Sequence, residues 1–174
     1  MRESNWLKSP LAVATLVFCG LALTRCLPST SEIPFEAVSE CPDSDYDLGE
    51  PALVVVSTRT EIESLPALLP PYGFDLERAL DETDFSLYSV LVAFHGQETS
   101  GGYGIQIRSI GLSRDRVEVK AKFTSPVAGA TLGVSSPCHV VRVPRSSLGS
   151  GKYEFVLVDE SSEKTVAGVT YTLP

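Results

Sequence analysis

Val117-Glu118-Val119-Lys120-Ala121-Lys122-Phe123 alternates strictly between apolar and charged residues. Successive side chains of an extended strand point to opposite faces, so Val117, Val119, Ala121 and Phe123 share one face and Glu118, Lys120 and Lys122 the other. The pattern predicts a strand with one side in a core and one in water, as in antiparallel sheets. Upstream, Tyr103–Ile110 repeats it, with Ile105 and Ile107 inward and Gln106 and Arg108 outward; Gly111–Arg114 between the two reads as a hairpin connection. Tyr88–Phe94 is apolar at nearly every position and predicts a strand covered on both faces. Ala52–Ser57, Cys138–Val143, Tyr153–Asp159 and Thr165–Leu173 complete seven strand candidates, separated by Ser, Gly and Pro. Helical signal is confined to residues 60–82. There Thr60 and Glu63 have capping-box spacing ahead of Ile62, Leu65 and Leu69, and Asp75 precedes a short turn through Leu80. Seven strands without βαβ alternation predict a mainly β fold: an antiparallel sandwich or open barrel with one or two short helices.

The 174 residues hold one domain of ordinary size plus additional segments. Lys and Arg number 14 against 22 Asp and Glu, a net charge of −8, which excludes a surface built for nucleic-acid phosphates. Arg2 and Lys8 precede an uncharged run of 14 residues, Leu11 to Thr24, the pattern of an export signal. That run is short for a membrane-spanning helix, which needs about 20 apolar residues. It ends in Leu23-Thr24-Arg25-Cys26, which resembles a bacterial lipobox except that Arg25 stands where a small residue is usual. Three outcomes follow: lipid on Cys26, ordinary signal cleavage near Ala22 and Thr24, or an uncleaved anchor. Residues 27–50 contain no Lys or Arg and carry Pro28, Pro34, Pro42 and seven acids, the composition of an extended linker. The expected organisation is therefore an export signal over 1–25, an acidic tether over 26–50 and a β domain over 51–174, outside the cytoplasm in the cell envelope or secreted.

Catalytic motifs are sparse. The two histidines are His95, at the end of a strand, and His139, within one. Cys138-His139 resembles a nucleophile and base, but strand neighbours point to opposite faces, so a disulfide or buried Cys beside a surface His is the expectation. Asp43, Asp45 and Asp47 are spaced like the start of a calcium loop. Leu48 and Val54 stand where an EF-hand requires Gly and Glu. No metal, no cofactor and no enzymatic activity are expected.

The run His95-Gly96-Gln97-Glu98-Thr99-Ser100-Gly101-Gly102-Tyr103 stands out. On residues alone it reads either as a tight hairpin with Tyr103 packed at its base or as a contact loop with an aromatic anchor. Ser89–Pro144 around it resembles the C-terminal domain of the protease complex subunit PrcB family. The shared pattern is an apolar strand, Gly96, then Ser100-Gly101-Gly102-Tyr103 with Ile105 and Ile107. The alternating strand 117–123 follows, then Pro126, and then Ser136-Pro137 leading into Val140-Val141-Arg142-Val143-Pro144, with Asp84-Phe85 ahead of the first strand. Ser100 replaces the usual Thr, and Cys138 replaces an aromatic. The resemblance implies an exported, often lipid-anchored accessory domain that supports a protease rather than cleaving anything itself. Its partner would be an envelope protein, contacted through Thr99–Tyr103 and through Ser125–Pro137, including Pro126 and Pro137. The alternative is a protease-inhibitor module acting through the Gly-Gly-Tyr loop, which resembles a loop of chagasin-type inhibitors.

Four cysteines are present. Cys19 leaves with a cleaved signal, and lipidation would occupy Cys26, so Cys41 and Cys138 remain as an even pair in an oxidising compartment. A disulfide between them is the expectation, against two separate thiols.

Overall fold

The computed structural model describes residues 30–41, 44, 49–62, 74–126 and 132–174. The export signal, Cys26, Asp43, Asp45 and Asp47 lie outside the described residues. Two open sheets pack face to face as a β-sandwich. Their strands are β1 (Ser31–Glu32), β2 (Glu36–Cys41), β3 (Ala52–Val56), β4 (Tyr88–Phe94), β5 (Glu98–Ser100), β6 (Gly104–Ser113), β7 (Arg116–Thr124), β8 (Leu132–Ser135), β9 (Cys138–Pro144), β10 (Gly151–Asp159) and β11 (Lys164–Leu173). The first sheet runs β1-β6-β7-β10-β11, the second β2-β9-β4-β3, and β5 pairs with β8 alone in a separate ribbon. All pairings are antiparallel except β7 with β10, which is parallel, because the chain leaves the first sheet after β7, builds β8 and β9, and returns beside it.

All seven strands expected from alternation form. Between the sheets lie Leu53, Val55, Leu91, Ile107, Val117, Val119, Val141, Phe155 and Leu157, nearly all without exposure. Those of β6 and β7 are the apolar half of an alternating strand, whereas β3 and β4 are apolar on both faces and give this core only every second residue. β4 is apolar throughout because its other residues, Val90, Val92 and Phe94, meet Leu76, Ala79 and Leu80 of helix α2 (Phe74–Asp81). Burying each such aliphatic side chain contributes about 1.5–3 kcal/mol.

Four expectations change. The hairpin connection is shorter: β6 continues to Ser113, and only Arg114 and Asp115 turn, with Arg114 at φ 59°. The helix start moves by two residues. Helix α1 (Arg59–Ile62) is capped by Glu61, whose carboxylate accepts the N–H groups of Ser57 (2.8 Å) and Thr58 (3.0 Å). The capping sequence is Thr58-Arg59-Thr60-Glu61, and Glu63 lies outside the described residues. The second helix begins at Phe74, ahead of Asp75.

The largest change concerns residues 26–50. Of that stretch, β1 joins the first sheet at Leu112 and Gly111, and β2 joins the second along Arg142 to Cys138. Ile33 between them is buried in the core and donates its N–H to Ile110 O at 2.8 Å. Ser44 is buried, and both its N–H and its hydroxyl donate to Ser136 O. Within the expected tether, Ser31–Glu32 and Glu36–Cys41 are therefore strands of the two sheets, with Ile33 and Ser44 held against the domain. Cys41 sits directly opposite Cys138 in the β2–β9 register, and the two form a disulfide with Cα atoms 4.8 Å apart.

Candidate ligand-binding end of the sandwich

Past β4 the chain does not fold back as a hairpin. Gly96, at φ +102°, turns it out of the second sheet. A Cβ there would stand 3.1 Å from Gly49 O and from Glu50 C, so only glycine fits against that backbone. β5 then pairs with β8, with Ser100 opposite Leu132 and Glu98 opposite Ser135. The Ser135 hydroxyl donates to Ser100 O at 2.8 Å. The segments 98–103 and 132–137, distant in sequence, are thus joined in one ribbon at the end of the sandwich. Residues 127–131 lie outside the described residues.

The ribbon stands on an aromatic base. The His95 ring lies 5.3 Å from Tyr103 and 5.2 Å from Phe123, centroid to centroid, and the main-chain N–H of His95 donates to Pro137 O at 2.9 Å. Tyr103 is therefore half-buried on His95 rather than free. Gly102 follows at φ +90°, and a Cβ on it would come 2.9 Å from Pro126 Cβ. The Gly-Gly pair permits a close pass under Pro126 and the return into β6; it is not a hairpin turn between β4 and β6. Pro137 is buried, so it braces the ribbon and cannot serve as an exposed contact. Thr99 and Gly102 are exposed, and Ser100, Gly101 and Pro126 are half-exposed.

The β8 strand of the ribbon presents apolar side chains to solvent. Leu132 is 100% exposed and Val134 61% exposed. Two residues apart on one strand, they lie on the same face. Scattered exposed aliphatics are ordinary, but a fully exposed Leu beside a half-exposed Val on a projecting ribbon is the form of a contact patch. The segment Ser125–Pro137, expected from the sequence to make contact, contains both without singling them out; the available signal was Leu132-Gly133-Val134, an apolar alternation with no polar face.

The electrostatics are local. Burial holds the His95 imidazole below its ordinary pKa, opposed by the Glu98 carboxylate 3.5 Å from Nδ1. At that distance Glu98 is an electrostatic neighbour rather than a hydrogen-bond acceptor. The Nδ1 of His95 is buried without a hydrogen-bond partner.

His139 is elsewhere, and it is not a surface residue. It is 1% exposed between the sheets, where Nδ1 accepts the Ile107 N–H at 3.1 Å. An accepting Nδ1 carries no proton, so the proton is on Nε2, which has no hydrogen-bond partner. Burial pushes its pKa down, against the nearby Glu40 carboxylate. Cys138 faces the other way, into the cluster under α2, so Cys138 and His139 do not meet. The contact with Ile107 falls beside a bulge at Arg108, where β6 shifts register against β7. His139 thereby satisfies a main-chain donor at the irregular edge of the first sheet.

Among the described residues no group of His, Cys, Asp or Glu is arranged to hold a metal ion, and no helix is long and apolar enough to cross a membrane. Residues 89–144, about a third of the chain, match the family model described as PrcB C-terminal. The match spans β4 to β9 and contains the aromatic base, the Gly-Gly-Tyr pass and the whole ribbon. It marks that stretch as a protease-complex-related domain. Comparison with curated proteins and with solved structures gave no match.

Proposed function

From the PrcB C-terminal character of residues 89–144, we propose that the chain is a non-catalytic accessory module, exported to the cell envelope, that docks on a protein partner there. The partner is a protease or a component of its complex. The observation that carries the reading is the coincidence of the family match with the ribbon, whose Leu132 and Val134 are exposed while everything beneath them is packed. A rigid scaffold presenting an apolar ribbon loses little conformational entropy on binding. The export pattern at residues 1–25 supports that location, and lipid on Cys26 is the attachment proposed from the lipobox-like Leu23–Cys26, from which Arg25 departs. The net charge of −8 disfavours adsorption to anionic lipid, so any membrane attachment belongs to the N-terminus.

The test is capture from a native envelope extract with the parent chain and with Leu132→Asp, Val134→Asp and Tyr103→Ala. The same protein is expected with the parent and its loss with Leu132→Asp. Retention of identical partners by folded Leu132→Asp and Val134→Asp variants rejects the ribbon as the docking surface. Mass spectrometry of the mature N-terminus tests the attachment: a diacylglycerol adduct on Cys26 supports it, and a free N-terminus near residue 25 refutes it.

A further inference from the structure

The terminal strands of the two sheets are not alike. β1 and β2 carry Glu32, Glu36 and Glu40, charges that discourage a foreign strand from pairing, and β3, the other uncharged end, is a short strand of five residues that lies beside β11. β11 ends the first sheet, and after Lys164 it reads Thr165-Val166-Ala167-Gly168-Val169-Thr170-Tyr171-Thr172-Leu173, without a charge or a proline. Its one irregularity is the register shift at Val166, where Leu157 opposes Ala167 and Val158 opposes Thr165. From Ala167 onward the strand is regular.

The direction of its free backbone groups follows from the neighbouring strand. Glu154 donates its N–H to Asp115 O on the β7 side, so the even-numbered residues of β10 turn toward β7. Tyr153, Phe155 and Leu157 then turn toward β11 and meet Tyr171, Val169 and Ala167. Gly168, Thr170 and Thr172 are left with N–H and C=O pointing away from the sheet. All three are exposed. Tyr171, Val169 and Ala167 are half-buried and flank the core.

We propose that β11 pairs with β11 of a second copy of this chain, antiparallel about a two-fold axis at Thr170. In that register Thr170 faces Thr170 of the second copy and Gly168 faces its Thr172. Every outward residue meets an outward residue, and each such pair exchanges two main-chain hydrogen bonds. On the core-facing side Val169 meets the second copy's Tyr171, and Ala167 meets its Leu173. Apolar residues therefore continue from one core into the other. An isologous contact places like with like, which the absence of charge from Thr165 to Leu173 permits. The interface lies on a different strand from the ribbon and stands apart from the docking proposed above.

The experiment measures the mass of the purified full chain by light scattering, with micelle mass subtracted, between about 1 and 100 μM, a range that brackets micromolar association. Twice the chain mass is expected at the upper end. Thr170→Lys places two like charges at the axis, and Thr170→Pro removes an outward N–H that the strand's own fold does not use. Both are expected to halve the mass while leaving the circular dichroism spectrum unchanged. Hydrogen exchange of the parent chain gives a second readout without substitution: the amides of Gly168, Thr170 and Thr172 become protected as concentration rises. A monomer throughout with fast exchange at these amides overturns the proposal. So does a dimer that survives both Thr170 variants or that is lost with Leu132→Asp instead.

Discussion

The two long sides of the sandwich are closed by different physics. On one side residues 31–41 cross from sheet to sheet, bonding to β6 and then to β9, and the Cys41–Cys138 disulfide fixes the crossing. On the other side β3 and β11 lie edge to edge but belong to different sheets and share no ladder. Side chains span that gap. The Tyr171 hydroxyl donates to the Glu61 carboxylate and lies 2.5 Å from the Ser57 hydroxyl, while Arg145 donates to Phe85 O (3.0 Å) and Pro174 O (2.9 Å). The first side is covalent and main-chain; the second is a clasp of individually weak bonds. The contrast teaches where stability resides and where the molecule has a backbone edge to spare.

The largest expected effect breaks the covalent side. Cys138→Ser should destabilise the fold by about 4 kcal/mol, read as the shift in chemical-denaturation midpoint, because the bridge closes a loop of 97 residues. Cys41→Ser should match it, and the double variant should cost no more than either alone.

Acid comes next, acting through His139 beside β2 and through His95 beneath the ribbon. Burial depresses the folded-state pKa of His139 and of His95, so the folded chain binds fewer protons than the unfolded chain as pH falls. The two groups' contribution is complete above the unfolded value of about 6.5 and is lost as pH falls through the folded values. Stability measured from pH 8 to 5 should therefore decline on the acid side. His139→Ala should cost about 2–3 kcal/mol at neutral pH, since it orphans the Ile107 N–H and opens a cavity, and it should flatten part of that decline.

The clasp is worth less. Tyr171→Phe should cost about 1 kcal/mol by the same denaturation measurement. Its titration has the opposite sense. Burial, with the Glu61 hydrogen bond, pushes the Tyr171 pKa up to about 12. Burial works against the Glu61 carboxylate too, but hydrogen bonds from Tyr171, Ser57 and Thr58 hold its pKa below the ordinary value. Because the folded-state tyrosine keeps its proton longer, its contribution is present below pH ~10 and is lost as pH rises toward the folded value. Tyr171→Phe should remove that alkaline loss.

The smallest effect sharpens the comparison by lying on neither side. Leu132→Asp should change the melting temperature by no more than the equivalent of about 0.5 kcal/mol, since the side chain is fully exposed. Partner capture should nevertheless fail.

The strands that alternate over many residues were legible, because each buries a whole face and the pattern is long: β6, β7 and β10 are examples. β2 was not. Glu36-Ala37-Val38-Ser39-Glu40-Cys41 has the acids of a linker, and its burial is confined to Cys41 and, in part, Val38 and Ser39. Its strand character comes from β9, whose backbone edge it covers, and that partner lies too far along the chain for local composition to show. β5 and β8 were missed for a related reason: with three and four residues, they find pairing only in each other. The importance of Ser100-Gly101-Gly102-Tyr103 was visible and its geometry was not. Gly102 is required by Pro126, a contact no spacing rule contains. His139 read as a surface residue because histidine is usually polar in context; the free Ile107 N–H that buries it arises from the bulge at Arg108.

The β2–β9 pairing also orders events in time. A ribosome or an export channel delivers the chain from its N-terminus, so Cys41 emerges well before Cys138 and has no strand to pair with until β9 arrives. Meanwhile β3 and β4, neighbours in the second sheet, can already form. The seam is thus the late step: a contact spanning 97 residues must wait for the intervening chain and then close a large loop. A chain interrupted before residue 138 would present an exposed β4 edge and an unpaired thiol at once. The bond that secures the finished domain is thus the one an unfinished chain lacks.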